Sequence, residues 1–391
     1  MSVRTPFYYY DLTLLENTLE SMQSAIKNPN FKIHYAIKAN AEDRILQTIK
    51  KHGLGADCVS GNEIRKALEI GFEPQDIVLA GIGKSDEELE LAISQGIHSI
   101  NCESIEELEV INEIAARYNT VANIAFRINP NVDAQTHHKI TTGLNENKFG
   151  IPITALDSAV DEILKHKNLA LKGIHFHIGS QILNLNPFAN LCQQANNAIV
   201  NLKARGIVLE HINVGGGLGI NYTDPSSQMI PNFTEYFKVF EKFLNLEEGQ
   251  TVHFELGRSL VGQCGSLISK VLYVKKGVNS NFAIIDAGMT DLMRPALYNA
   301  FHKIENISSE EVEESYHVVG PICESSDTFG KTELSKTSRG DYLMIKSAGA
   351  YGQVLSSNYN LRDRAAAVYS DEISLEDYIS KNEKVRELQT A

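Results

Sequence analysis

Lys38 follows an apolar run in "FKIHYAIKAN", residues 31–40, which places an amine where a strand should end. Its bland reading is a solvated lysine at a strand–loop junction. "GIHFHIGSQ", residues 173–181, sets His175 and His177 two apart, hence on one face of a strand, with Ser180 just beyond. Two such imidazoles can ligate a metal, but no third ligand is evident nearby and no HExxH occurs, so no metal is expected. A flat imidazole can instead lie against a flat ring, and Ser180 offers a hydroxyl to a phosphate. "NVGGGLGI", residues 213–220, holds Gly215, Gly216 and Gly217, whose backbone N–H groups are unscreened by side chains and suit a phosphate. The dinucleotide fingerprint G-x-G-x-x-G fails there, because Ile220 stands at its last glycine. "HFELGRSLVG", residues 253–262, adds Glu255 and a second glycine turn, Gly257–Arg258.

The elements that must position these groups show as a rhythm. Apolar runs at 31–38, 55–60, 76–81, 97–102, 121–128, 171–178, 208–214 and 251–256 alternate with segments of helical period such as "DEELELAISQG". Eight strands, each but the last followed by a helix, predict a closed (β/α)8 barrel rather than an open doubly wound sheet. Its domain is expected to span residues 14–264. Active sites of such barrels lie at the C-terminal ends of the strands. Lys38, Arg127, His177, Gly215, Glu255 and Arg258 then share one mouth, with Lys38 closing the first strand. After residue 264 the texture turns to β-branched and aromatic runs separated by Gly, Asn and Ser turns. Residues 1–13 and 265–391 are therefore expected to form an antiparallel β domain, in which the initial "PFYYYDL" pairs.

Composition narrows the partners. Acidic side chains outnumber basic ones 49 to 36, giving a formal charge of −13 that disfavours nucleic acid and anionic membranes. Five dispersed cysteines (58, 102, 192, 264 and 323), with no C-x-x-C pair, suit a reducing compartment better than a disulfide framework. The N-terminus lacks a basic region followed by an apolar core, and no run is long enough to span a bilayer, so the cytoplasm is the expected setting.

An amine, a phosphate cradle, a carboxylate and a stacking ring are what a pyridoxal 5′-phosphate site needs. A lysine anchors the aldehyde covalently, and a carboxylate keeps the ring nitrogen protonated so that the ring accepts electrons. On this reading Lys38 is the covalent anchor.

An ordered set of motifs carries a resemblance over nearly the whole chain: "PFYYYD", "HYAIKAN", "DCVSGNEI", "THHKITTGLNENKFGI", "HFHIGSQ", "VGGGLGI", "ELGRSLVG", "DAGMTDLMRPALYNAFH", "VGPICESSD" and "GAYGQVLSSNYN". The sequence resembles the fold-type III pyridoxal-phosphate decarboxylases, in the branch that acts on diaminopimelate. Leu256 departs from the proline usual before Gly257, and Asn62 from a glycine usual before Glu63. The resemblance implies that Lys38 carries the cofactor, His177 stacks on its ring and Glu255 faces its pyridine nitrogen. It implies that Ser180, Gly215, Gly216, Gly217, Gly257, Arg258 and Tyr351 hold the phosphate. It further implies a homodimer with shared sites, in which Cys323 of the neighbouring subunit is the proton donor.

The expected reaction is decarboxylation of meso-2,6-diaminopimelate to L-lysine and carbon dioxide, the last step of lysine biosynthesis. The far end of that substrate bears an ammonium and a carboxylate. Arg258 and Arg294, with Tyr298 and Tyr351, suit the carboxylate, and Glu324 suits the amine. The rivals are a carboxynorspermidine decarboxylase of the same fold, a related racemase, and a non-catalytic regulatory homologue. The last would be expected to lack Lys38 or Cys323, and both are present.

Overall fold

The computed structural model describes residues 3–133 and 148–381. Residues 134–147, with most of "THHKITTGLNENKFGI" and part of the loop at Asn145–Phe149, lie outside the described residues, as do 382–391. The chain divides into two units, one of Leu19–Gly219 and Asn232–Gly257, the other of Met1–Thr18, Ile220–Pro231 and Arg258–Ala391.

The first unit is a closed parallel barrel. Its eight strands are Phe31–Ala36, Gly55–Cys58, Ile77–Leu79, Ser99–Cys102, Ala122–Asn129, Leu169–His175, His211–Asn213 and Thr251–Leu256. Each falls within or against an expected run. Phe31–Ala36 pairs on one side with Gly55–Cys58 and on the other with Thr251–Leu256, and Ser99–Cys102 pairs with Ala122–Asn129, so no edge remains. Lys38 does not close the first strand. That strand stops at Ala36, and Lys38 lies in the one-turn 3-10 helix Ile37–Ala39 that follows.

Alternation along the strands fills the barrel in layers. His211 and His253 lie two residues before Asn213 and Glu255 on their strands, so a layer of imidazoles underlies a layer of polar site residues. His34 Nε2 lies 2.9 Å from His253 Nδ1, and His98 and His211 each stack on His253 with ring centroids 4.9 Å apart. Glycine makes the room: a Cβ on Gly173 would lie 2.2 Å from His211 Nε2. Between strands and helices, Phe31 and Phe254 of the barrel interlock with Phe188, Tyr236, Phe237 and Phe240 of the helices Asn186–Ala204 and Phe233–Phe243 as an aromatic cluster. Burying rings of this size supplies much of the favourable free energy of such a core.

The second unit carries one eight-stranded sheet system, in which Phe7–Tyr10 pairs antiparallel with the start of Gly265–Lys276. Its core centres on Phe7, Ile268, Tyr342, Val368 and Tyr378. The sheet is mixed rather than wholly antiparallel. Phe7–Tyr10 runs parallel to Ala366–Tyr369, and Asn281–Ile285 runs parallel to Glu313–Val319. The second exception has a visible cause: the helix Arg294–Tyr298 and the strand Ile304–Asn306 intervene, so the link is a crossover and not a hairpin. No helix among the described residues is long and apolar enough to cross a membrane.

Candidate active site

A cavity of about 430 Å³ in the barrel unit is lined by Lys38, Lys84, Arg127, Phe149, His175, His177 and Glu255. Turns and strand ends on the C-terminal side supply these groups, as the barrel rule requires. Lys38 Nζ donates to Asp57 Oδ2 at 2.6 Å, and Asp57 is wholly buried at the end of the second strand. Burial, with the neighbouring Glu255, raises the Asp57 pKa, and Lys38 opposes that rise.

Glu255 is held from three sides. Asn213 Nδ2 donates to its Oε1 at 2.8 Å and Asn101 Nδ2 at 3.4 Å, while His175 Nε2 lies 3.0 Å from its Oε2. Burial opposes ionisation, but the charge and hydrogen bond of His175, then the charge of Lys38, outweigh it and hold this carboxyl below its ordinary pKa. The environment thus pushes two neighbouring carboxyls apart, Asp57 up and Glu255 down, a pattern that separates acid and base roles. His177 is pushed down to about 3 by burial and then by Arg127 and Lys38, so its ring is neutral. Gly216 N donates to His177 Nδ1 at 3.3 Å, which orients that ring beside the glycine bend.

The bend is glycine because the backbones meet. A Cβ on Gly216 would lie 1.9 Å from the Glu255 carbonyl oxygen, and Gly215 and Gly217 have φ of +69° and +109°. Ser180 lies half-buried three residues beyond His177, and Gly257 packs against Ala36 and Ala39 at the turn that carries Lys38.

The structure adds partners that motif reading left unassigned. Asp57 stands inside the quoted "DCVSGNEI", but nothing in one sequence pairs it with Lys38. Arg127 Nη1 meets Glu103 Oε1 at 2.5 Å and lies over the Phe149 ring at 4.6 Å. Lys84, in the same wall, is bound to Glu107 at 2.6 Å and is nearly inaccessible.

In the second unit two arginines gather on one tyrosine. Arg258 Nη1 donates to the Tyr222 hydroxyl at 2.6 Å, and the Arg294 guanidinium lies 4.4 Å from the centroid of the same ring. Arg258 also lies over the Tyr351 ring at 4.7 Å, and Tyr351 adopts a left-handed φ of +57°. That conformation is strained for a tyrosine and marks a position held by its surroundings. Arg294 and Tyr298 open and close one helical turn, so they share a face. Cys323 is exposed, its backbone N–H donating to Asn360 Oδ1 at 3.2 Å. Glu324 is also exposed and accepts from the Tyr359 hydroxyl at 2.7 Å. Tyr222, Asn213 and Asn101 are assigned no role by the sequence, since single tyrosines and asparagines carry no spacing signal.

A parallel barrel with a half-exposed lysine paired to a buried aspartate, a clamped carboxylate and a glycine bend defines a class in which an amine and an electron-accepting ring cooperate. Residues 12–262 match the family described as pyridoxal-dependent decarboxylase, pyridoxal binding domain, and the chain belongs to that family. Over 374 residues it is 56% identical to a diaminopimelate decarboxylase of Bacteroides thetaiotaomicron, covering 95% of this chain and 97% of the relative. It is 41% identical to the diaminopimelate decarboxylase of Neisseria meningitidis serogroup B, over 94% of this chain and 88% of that one. A crystal structure of the Helicobacter pylori diaminopimelate decarboxylase complexed with L-lysine superposes with a TM-score of 0.89, at 38% identity and 97% coverage of both chains. The cofactor is pyridoxal 5′-phosphate, and the pocket fits it. Cavities of roughly 300–1,000 Å³ suit ligands of that size, the Lys38 amine lines this one, and the His177 imidazole in its wall is neutral.

Proposed function

We propose that the protein decarboxylates meso-2,6-diaminopimelate, releasing L-lysine and carbon dioxide, as a cytoplasmic homodimer with shared sites. When bound, pyridoxal phosphate supplies an aldehyde that condenses with amines and a ring that takes up the electron pair left by departing carbon dioxide. Lys38 anchors it, and Asp57 receives the lysine ammonium whenever the amine is released. Glu255, kept ionised, holds the ring nitrogen protonated, while neutral His177 lies against the ring face without competing for that charge. Ser180, Gly215, Gly216, Gly217, Gly257, Arg258 and Tyr351 hold the phosphate. The bond from the α-carbon to its carboxylate breaks, and Cys323 Sγ–H of the other subunit returns a proton to that carbon. An exposed Cys323 suits a group offered to another subunit.

The observation that carries the substrate reading is Arg294. It is 5% exposed, and no acidic side chain among the described residues forms an ion pair with it. A buried cation without a counter-charge is costly, and a ligand carboxylate removes that cost. Tyr298 and Tyr351 share this task, Arg258 assists, and Glu324 takes the far ammonium. The test is carbon dioxide release from meso-diaminopimelate, ornithine, arginine and carboxynorspermidine, side by side. The first should exceed the others by about 100-fold or more in kcat/KM, because a site built for a carboxylate rejects substrates that leave it unpaired. Equal or better turnover of any other would overturn the assignment.

A further inference from the structure

We propose that His302 is the positioning residue that aims Arg294 at the substrate's far carboxylate and so makes the site prefer an amino-acid end over a bare amine. This rests on the reading of Arg294 as the carboxylate grip.

The geometry fixes how His302 must act. Its Nδ1 lies 2.9 Å from the Lys346 carbonyl oxygen. A carbonyl only accepts, so Nδ1 carries the hydrogen and Nε2 is left with a lone pair. Arg294 Nη1 lies 2.7 Å from that Nε2 and donates to it. The anchor is firm, because Lys346 N donates to the Lys303 carbonyl and the strands Ile304–Asn306 and Tyr342–Ile345 pair directly beyond. Tyr222 braces the arrangement, with its ring 4.4 Å from the Arg294 guanidinium and edge-on to His302 at 5.1 Å.

The choice of a neutral acceptor matters. A carboxylate in this place would orient Arg294 equally well but would satisfy its charge and occupy its fork. Imidazole holds one Nη and leaves the charge for the ligand, and Arg294 Nε has no partner among the described residues. His302 is 2% exposed, and burial followed by the charge of Arg294 pushes its pKa down to about 3, so it stays neutral at any working pH.

The discriminating pair of ligands is L-lysine, which keeps the carboxylate, and cadaverine, which is the same molecule without it. Both are titrated into the pyridoxal-phosphate holoenzyme by absorbance, for wild type, His302→Phe, His302→Gln, His302→Glu and Arg294→Gln. His302→Phe should weaken L-lysine about 10-fold, the cost of one charge-assisted hydrogen bond, with cadaverine changed less than about 2-fold. His302→Gln, which retains an acceptor, should stay within about 3-fold of wild type for both ligands. His302→Glu, which neutralises Arg294, should abolish the preference for L-lysine. Unchanged L-lysine binding in the Phe variant, or a parallel loss of cadaverine, overturns the proposal. Should the Phe variant fail to fold, a wild-type lysine-to-cadaverine ratio in the Glu variant overturns it instead. If Arg294→Gln keeps the wild-type ratio, the carboxylate grip itself is wrong. If that ratio collapses while every His302 variant behaves as wild type, only the role of His302 falls.

Discussion

Chemistry at the residue scale depends on pairs that sequence spacing does not reveal. Lys38 was legible because it follows an apolar strand run, and Glu255 because it stands on a strand just before the Gly257–Arg258 turn. Asp57 was not, since 19 residues and a whole helix separate it from the lysine it binds at 2.6 Å. Asp57→Asn preserves shape and removes the charge that accepts the Lys38 ammonium. The holoenzyme should still form while kcat falls about 10- to 100-fold, in line with loss of an acid–base partner. An unchanged kcat would make the pair purely structural. The same logic covers Glu255: its strand position was readable, whereas the grip of Asn213, Asn101 and His175 arises only when their three strands meet the strand of Glu255.

Elements were the most legible level, because a parallel barrel buries its strands on both faces and writes them as apolar runs. All eight expected runs contain strands. Lys38 moved from strand to turn because alternation alone does not mark where strand pairing stops. What alternation hid was the polar filling, since His34, His211 and His253 occupy positions where aliphatic side chains would read the same. That layer predicts a pH dependence. Burial, then His98, lowers the His34 pKa from 6.5 to about 4. Between those values the unfolded chain binds the extra proton, so stability contributed by neutral His34 is present above pH 6.5 and is lost as pH falls towards 4. Chemical denaturation across that window should give a His34→Gln variant a slope of unfolding free energy against pH shallower by up to about 1.4 kcal/mol per unit. An identical slope would show that His34 is not what titrates in that window.

For the molecule as a whole, the sequence announced a change of texture near residue 264, and the second unit does carry its own sheet and core. Its strand directions were beyond reach of pattern reading, because parallel and antiparallel partners differ in connection and not in composition. The proposed sharing of sites between subunits has a direct check. Lys38→Ala and Cys323→Ala should each be inactive alone. Mixed and allowed to exchange subunits, they should regain about a quarter of wild-type activity, since half the dimers are then mixed and each holds one intact site. No recovery despite proven exchange would place both residues in one subunit's site.

The central claim is that one lysine of this pocket bonds the cofactor, and reduction with borohydride followed by peptide mapping tests it most directly. Lys38 and Lys84 both line the cavity, but Lys84 is bound to Glu107. The pyridoxyl label should fall on the peptide containing Lys38 and on no other. A label on Lys84, or protein that reduces without retaining any label, would contradict the account.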